Sequence, residues 1–211
     1  MKTVIRSVRI QALPAGAALA LLAFGCCGRP SAQLRPLTAD SVILAFGDSL
    51  TEGTGADAAE AYPAVLEREL GCRVINAGVA GERTDQGLER LPGAIAKYQP
   101  DLLILIHGGN DLLQRVEPAT IKGNLARMIA LARKEGSEVV LVGIPEPNLL
   151  LRTAALYDEL ARQFGIPYDR ATLRDVLSTP SLKSDQIHPN AEGYTIIAEN
   201  LAGLIRGAEK K

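Results

Sequence analysis

The stretch ILAFGDSLTEGTG, from Ile43 to Gly55, begins as an unbroken apolar run and stops on Gly47-Asp48. A short run without polar alternation reads as a strand buried on both faces, and Gly-Asp-Ser reads as the turn that ends it. Ser49 therefore lies just past a strand end, either as a turn residue or as a nucleophile. A second pattern overlaps it, because Gly53, Gly55 and Ala58 spell G-x-G-x-x-A. A dinucleotide-binding loop needs its first glycine directly after the first strand and an acid near the end of the second. Gly53 comes seven residues after Phe46, and the second apolar run ends in Ile75-Asn76 with no acid. Nucleotide binding by this loop is excluded.

Outward from Ile43 the same kind of run recurs. Val42–Phe46, Val74–Ile75, Leu102–Ile106 and Val139–Val142 are expected strands, and Ile-Pro-Tyr-Asp at 166–169 is a short fifth. Between them, apolar residues at i, i+3, i+4 spacing predict helices over 58–70, 87–98, 121–134 and 149–164, with a last one over 192–205. The first four strands start about 30 residues apart, the length of a βαβ unit. The expected architecture is a three-layer α/β/α sandwich around a mainly parallel, five-stranded sheet. In such sheets ligands bind beyond the carboxyl ends of the strands.

The 211 residues suit one domain, expected over 41–207. Charged residues make up 22 % and apolar residues 47 %, and the net charge of −1 with no Lys/Arg-rich stripe argues against a nucleic-acid partner. Lys2, Arg6 and Arg9 precede an uncharged run from Ile10 to Phe24, shorter than the roughly 20 residues a membrane-spanning helix needs. Residues 1–25 thus read as a signal peptide. Gly25-Cys26 resembles a bacterial lipoprotein box, which would make Cys26 a lipidated N-terminus and anchor the protein to a membrane; ordinary cleavage before Cys26 is the other reading. The expected location is extracytoplasmic in a bacterium, in the periplasm or as a membrane-anchored lipoprotein. Loss of residues 1–25 lowers Lys+Arg from 23 to 20 against 24 acids and leaves a net charge of −4. Residues 26–40, polar and with two prolines, read as a flexible tether. Three cysteines form no disulfide framework, and Cys72 reads as a structural thiol.

Chemistry-bearing residues cluster at the strand ends. A serine hydroxyl attacks an acyl carbon only with an imidazole in hydrogen-bond reach and a carboxylate to orient that imidazole. There are two histidines. His188 has Asp185 three residues before it, Pro189 to keep it out of helix, and Asn190 to cap the helix that follows. His107 ends the third strand, lacks an upstream carboxylate, and is expected to support or pack. Negative charge on a tetrahedral intermediate needs fixed donors. The Ser49 N–H, the backbone of Gly81 and the side-chain amide of Asn110, behind Gly108-Gly109, are the candidates, with Gly78 an alternative to Gly81. Asp48 and Asp111 are expected to brace loops.

Gly47-Asp48-Ser49-Leu50, Asn76-Ala77-Gly78-Val79-Ala80-Gly81, Gly108-Gly109-Asn110-Asp111 and Asp185-Gln186-Ile187-His188-Pro189, in this order, resemble the four sequence blocks of the GDSL-type serine hydrolases, the SGNH superfamily. The chain is most similar to their small periplasmic thioesterase/lysophospholipase/arylesterase branch. The second block departs from a family example reading Gly-Asp-Thr, since Gly81-Glu82-Arg83-Thr84 stands here. The resemblance implies a flavodoxin-like fold and no cofactor. It makes Ser49 the nucleophile, His188 the base, Asp185 its orienter, and Gly81 and Asn110 oxyanion donors beside the Ser49 amide.

The function expected is hydrolysis of a carboxylic ester or thioester, possession of a lipid-like substrate included. A carbohydrate O-acetylesterase is the rival enzyme, and an envelope protein that binds lipid or glycan without turnover is the rival of another class. No metal is expected, because two lone histidines form no Cys/His cluster. No P-loop lysine motif and no G-x-S-x-G elbow occurs. Substrate choice is expected to sit in loops 51–62, 111–118 and 145–151, the last apolar enough for an acyl-chain wall.

Overall fold

A computed structural model describes residues 32–210. The expected signal peptide and Cys26 lie outside the described residues. The five apolar runs form one sheet: β1 (Val42–Gly47), β2 (Arg73–Gly78), β3 (Leu102–Ile106), β4 (Glu138–Val142) and β5 (Tyr168–Asp169). Its order is β2-β1-β3-β4-β5 and every pairing is parallel, so the sheet is wholly rather than mainly parallel. This is the doubly wound order of flavodoxin-like folds, which reverses direction between β1 and β3. Residues Ile43 to Phe46 and Leu102 to Ile106 are fully or almost fully buried, as continuous apolar strands between two helical layers must be.

Among the described residues eight α-helices accompany the sheet: α1 (Ser49–Glu52), α2 (Tyr62–Leu70), α3 (Thr84–Tyr98), α4 (Gly109–Leu113), α5 (Pro118–Lys134), α6 (Ala155–Phe164), α7 (Thr172–Ser178) and α8 (Ala191–Ala208). Two begin later than the apolar spacing predicts. The helix expected from Ala58 starts at Tyr62, because Pro63 has no N–H to give and fits only the first turn. The helix expected from Leu149 starts at Ala155. Pro145 and Pro147 stiffen the preceding segment, the Leu150 N–H donates to Asn148 Oδ1, and Pro145 bridges to Thr153. The short helix α7 was not expected, although Leu173, Val176 and Leu177 repeat at helical spacing and are buried.

Register aligns the catalytic end. Gly47 pairs with Gly78 on one side and Ile106 on the other, so β1, β2 and β3 finish level. A Cβ on Gly78 would run into the Glu52 backbone, which explains a glycine where β2 touches α1.

The domain begins before Ser41, and the tether expected over 26–40 is docked where it is described. Leu34 is 2 % exposed. Its N–H donates to Ala208 O at 2.8 Å and its carbonyl accepts from the Lys210 N–H at 3.0 Å, as an added strand-like bridge to the end of α8. The Arg35 N–H and guanidinium donate to Glu138 Oε2 and Gly136 O at 2.7 and 2.9 Å. A polar composition concealed this, because a single buried leucine with paired backbone is enough to anchor a short segment. The strap ties the amino end of β4 to the end of α8, at the pole opposite Ser49. Leu34→Ala is expected to lower unfolding stability by about 2 kcal/mol without changing ester hydrolysis, as read by urea denaturation and a steady-state assay.

Candidate active site

Ser49 is the first residue of α1, directly after β1. Asp48 holds this turn: its Oδ1 accepts from the Leu50 N–H at 3.1 Å, and its carbonyl accepts from Thr51 and Glu52. The Asp48 carboxyl is buried, and burial raises its pKa. Its bond to the Leu50 amide makes it a brace for the turn.

His188 comes from the loop before α8. The Lys183–Pro189 bridge and a Ser184 N–H to His188 O bond at 3.0 Å tighten this loop, and Asn190 caps α8 by accepting from the Gly193 N–H. Asp185 Oδ1 accepts from the Ile187 and His188 amides, both at 2.8 Å, while its Oδ2 lies 2.7 Å from His188 Nδ1. Burial opposes ionisation of Asp185, but these hydrogen bonds outweigh it and hold its pKa below the usual carboxylate range. An ionised Asp185 places the proton on Nδ1 and leaves Nε2 as an acceptor. Nε2 is 3.0 Å from Ser49 Oγ, so the local Asp185–His188 pair and the distant Ser49 form one hydrogen-bonded chain.

Facing this chain are the expected donors. Glu82 N–H donates to Val79 O in a tight turn that puts Gly81 at φ +77°, a conformation that favours glycine. The Gly81 N–H donates to no backbone carbonyl among the described residues. The Ser49 N–H, first in its helix, has no intrahelical partner. Asn110 donates one amide hydrogen to Glu82 O at 3.0 Å, leaving a second. The alternative donor Gly78 is committed elsewhere, its N–H donating to Asn76 Oδ1 at 2.9 Å.

His107 is not at the cleft. It is fully buried, its Nδ1 accepts from the Gly108 N–H at 3.0 Å, and its Nε2 lies 3.1 Å from Glu82 Oε2. Asp111 braces as expected: the Thr84 N–H and hydroxyl donate to its two oxygens at 2.9 and 2.6 Å. Sequence reasoning missed Glu82 and Arg90. Arg90 Nε and Nη2 donate to the two Glu82 oxygens at 2.8 and 2.7 Å, and the guanidinium lies 4.0 Å over the Phe46 ring. Nothing local marks two oppositely charged residues eight positions apart as a buried pair.

A cleft of roughly 330 Å³ opens at Ser49 and His188, with Gly81 and Asn110 in its wall. Its apolar lining comes from Leu113, Ile144, Pro145, Leu151, Leu177 and Ile187. Of the expected acyl wall, Pro145, Pro147 and Leu151 line the cleft, while Leu149 and Leu150 are 99 % and 65 % exposed. Cys72 is buried away from the site, and burial raises its pKa.

The fold and the cleft are those of an α/β acyl hydrolase, and the sequence matches the GDSL-like lipase/acylhydrolase family over residues 45–196. The chain belongs to that family and is an ester-hydrolysing enzyme of the SGNH type, which removes the non-catalytic binder as a reading. It is 37 % identical to the esterase TesA of Pseudomonas aeruginosa over 86 % of this chain and 95 % of that protein. It is 30 % identical to thioesterase 1/protease 1/lysophospholipase L1 of Escherichia coli over 80 % of this chain and 84 % of that one. A crystal structure of TesA superposes with a TM-score of 0.73 at 30 % identity, covering 80 % of this chain and 99 % of that one.

Burial resists ionisation of Glu82, yet the hydrogen bonds from Arg90 and His107 prevail and bring its pKa down to about 2. A carboxyl depressed in the folded state stabilises it above the unfolded value, about 4.3 for Glu, and that contribution is lost as pH falls from there towards 2. Glu82→Gln should therefore be less stable than the parent at pH 7, with the gap narrowing between about pH 4.5 and 2.5 in urea titrations.

Proposed function

We propose that this enzyme hydrolyses carboxylic esters or thioesters of apolar acyl groups through an acyl-enzyme on Ser49. The observation that carries the reading is the unbroken chain from Ser49 Oγ to His188 Nε2 at 3.0 Å and from His188 Nδ1 to Asp185 at 2.7 Å. In the proposed reaction His188 takes the Ser49 proton as Oγ attacks the acyl carbon. Asp185 stabilises the imidazolium, and the resulting oxyanion receives hydrogen bonds from the Ser49 and Gly81 N–H groups and the Asn110 amide. The tetrahedral intermediate collapses when His188 protonates the leaving oxygen or sulfur. A water molecule, deprotonated by His188, then repeats the sequence on the acyl-enzyme and frees the acid and Ser49.

The cleft supports an apolar acyl substrate. Walls of leucine, isoleucine and proline beside Ser49 suit a hydrocarbon chain better than a sugar ring, whose hydroxyls would be desolvated there without partners. This favours an acyl ester, thioester or lysophospholipid over a glycan O-acetyl group, and the esterase and thioesterase/lysophospholipase named among the relatives supports it. Export is the second part of the proposal: residues 1–25 direct secretion and Cys26 carries lipid. Incorporation of labelled palmitate, abolished in Cys26→Ala, is the expected result; no labelling of the parent chain would leave simple secretion.

Ser49→Ala is expected to lower p-nitrophenyl butyrate hydrolysis by at least about 10³-fold while the circular dichroism melt stays within a few degrees of the parent. With the parent enzyme, kcat/KM over C2 to C16 esters should rise beyond acetate. Parental activity in the alanine variant defeats the nucleophile assignment, and activity confined to acetate defeats the acyl-cleft assignment.

A further inference from the structure

The turn that presents Gly81 is weakly held from within. Val79, Ala80 and Gly81 are exposed, and the turn's internal bond, from Glu82 N–H to Val79 O, is long at 3.2 Å. Donors that stabilise an oxyanion must lie within roughly 2.7–3.1 Å of where it forms. Something outside the turn has to hold it.

Glu82 does so on two sides. Its main-chain carbonyl accepts from Asn110 Nδ2 at 3.0 Å, tying one proposed oxyanion donor to the residue that follows the other. Its side chain is buried and receives three hydrogen bonds. Arg90 Nε donates to Oε1 at 2.8 Å, and Arg90 Nη2 and His107 Nε2 lie 2.7 and 3.1 Å from Oε2. The far ends of these bonds are anchored. Arg90 Nη2 also donates to Ala77 O at 3.0 Å in β2, and its guanidinium stacks on Phe46 of β1. His107 closes β3, and its Nδ1 accepts from the Gly108 N–H just ahead of α4, the helix that carries Asn110. That bond fixes the tautomer: with Nδ1 an acceptor, Nε2 bears the hydrogen and points it at Glu82. Gly87 completes the fit, since a Cβ there would collide with His107 Nε2.

We propose that Glu82 is the positioning residue of the oxyanion hole, its carboxylate locking the Gly81 turn to α3 and to the end of β3 while its carbonyl sets the Asn110 amide. This rests on the reading of Gly81 and Asn110 as oxyanion donors. The anion itself is required. Three donors converge on two oxygens, and a carboxylate supplies acceptors for all of them. A glutamine of the same shape has one acceptor oxygen and directs its NH2 at Arg90 or His107, so the clamp opens with little change in volume. Because Glu82 does not line the cleft, the ground-state contacts of substrate are left intact; what loosens is the geometry needed once charge develops.

The test uses the full-length enzyme with Glu82→Gln, Glu82→Asp and Arg90→Lys, each first checked by thermal melting. For Glu82→Gln, kcat for p-nitrophenyl butyrate should fall about 10- to 100-fold, a fraction of the loss from deleting a donor, with KM within about twofold. The inhibition constant of an alkyl trifluoromethyl ketone, whose adduct with Ser49 carries the oxyanion, should rise by the same factor as kcat/KM falls. Glu82→Asp restores the anion and should recover the greater part of both. Arg90→Lys keeps a cation beside Glu82 but loses the two-pronged contact, so it should fall between and lie on the same line; it decides the matter if Glu82→Gln does not fold. Parental kcat in a folded Glu82→Gln or, failing that, Arg90→Lys overturns the proposal. So does a loss expressed in KM, or an inhibition constant that does not move. Inactive Ser49→Ala beside fully active Glu82→Gln removes this inference alone, whereas active Ser49→Ala removes the reading on which it rests.

Discussion

Gly47 is paired with Gly78 and with Ile106, so the three adjacent strands β2, β1 and β3 end at one height. The chain then leaves each strand in a different direction, and the points of departure deliver Ser49, Gly81 and Asn110 to one mouth. Parallel pairing is what makes this coincidence available, because it puts all carboxyl ends on the same side. The reversal of strand order between β1 and β3 opens the crevice there. Burial of the Ile43–Phe46 and Leu102–Ile106 runs between two helical layers holds the levels fixed, since a slipped strand would have to repack differently shaped side chains against both layers.

Carboxyl groups around this mouth, three buried and one exposed, are put to different uses by their neighbours. Asp48 spends its hydrogen bonds on the turn that presents Ser49. Asp111 binds both donors of Thr84 and joins the start of α3 to α4. Glu82 lies against a guanidinium and an imidazole N–H. Asp185 lies at the rim, takes two backbone amides, and keeps its second oxygen for His188. The residue type is shared or nearly so; the donors within reach decide which carboxylate orients a base and which holds a loop. The amino-terminal strap works at the other pole, where Leu34 and Arg35 close the bottom of the sheet without reaching the chemistry.

Much of this was legible in the chain. The strands announced themselves because continuous apolar runs between turn residues have few other destinations, and their spacing implied parallel crossovers. Ser49, Asp185 and His188 could be paired because two histidines left little choice and a carboxylate three residues upstream can reach an imidazole locally. Helix starts at Tyr62 and Ala155 were misplaced where proline and asparagine chemistry overrode apolar spacing. Polar composition hides the docking of the single buried Leu34, and only one short apolar repeat marks α7.

By itself, then, the sequence determined the layer architecture, the local Asp185–His188 unit and the residue types able to carry acyl transfer, all set by periodicity or by neighbours within a few positions. Only the tertiary structure decided that Ser49 meets His188 across 139 positions, that Gly78 and not Gly81 gives its N–H to a partner among the described residues, and that Glu82, Arg90 and His107 share one network. The physical reason is that a hydrogen bond between distant segments depends on how closely two backbones approach, and that distance is set by the packing of the whole sheet.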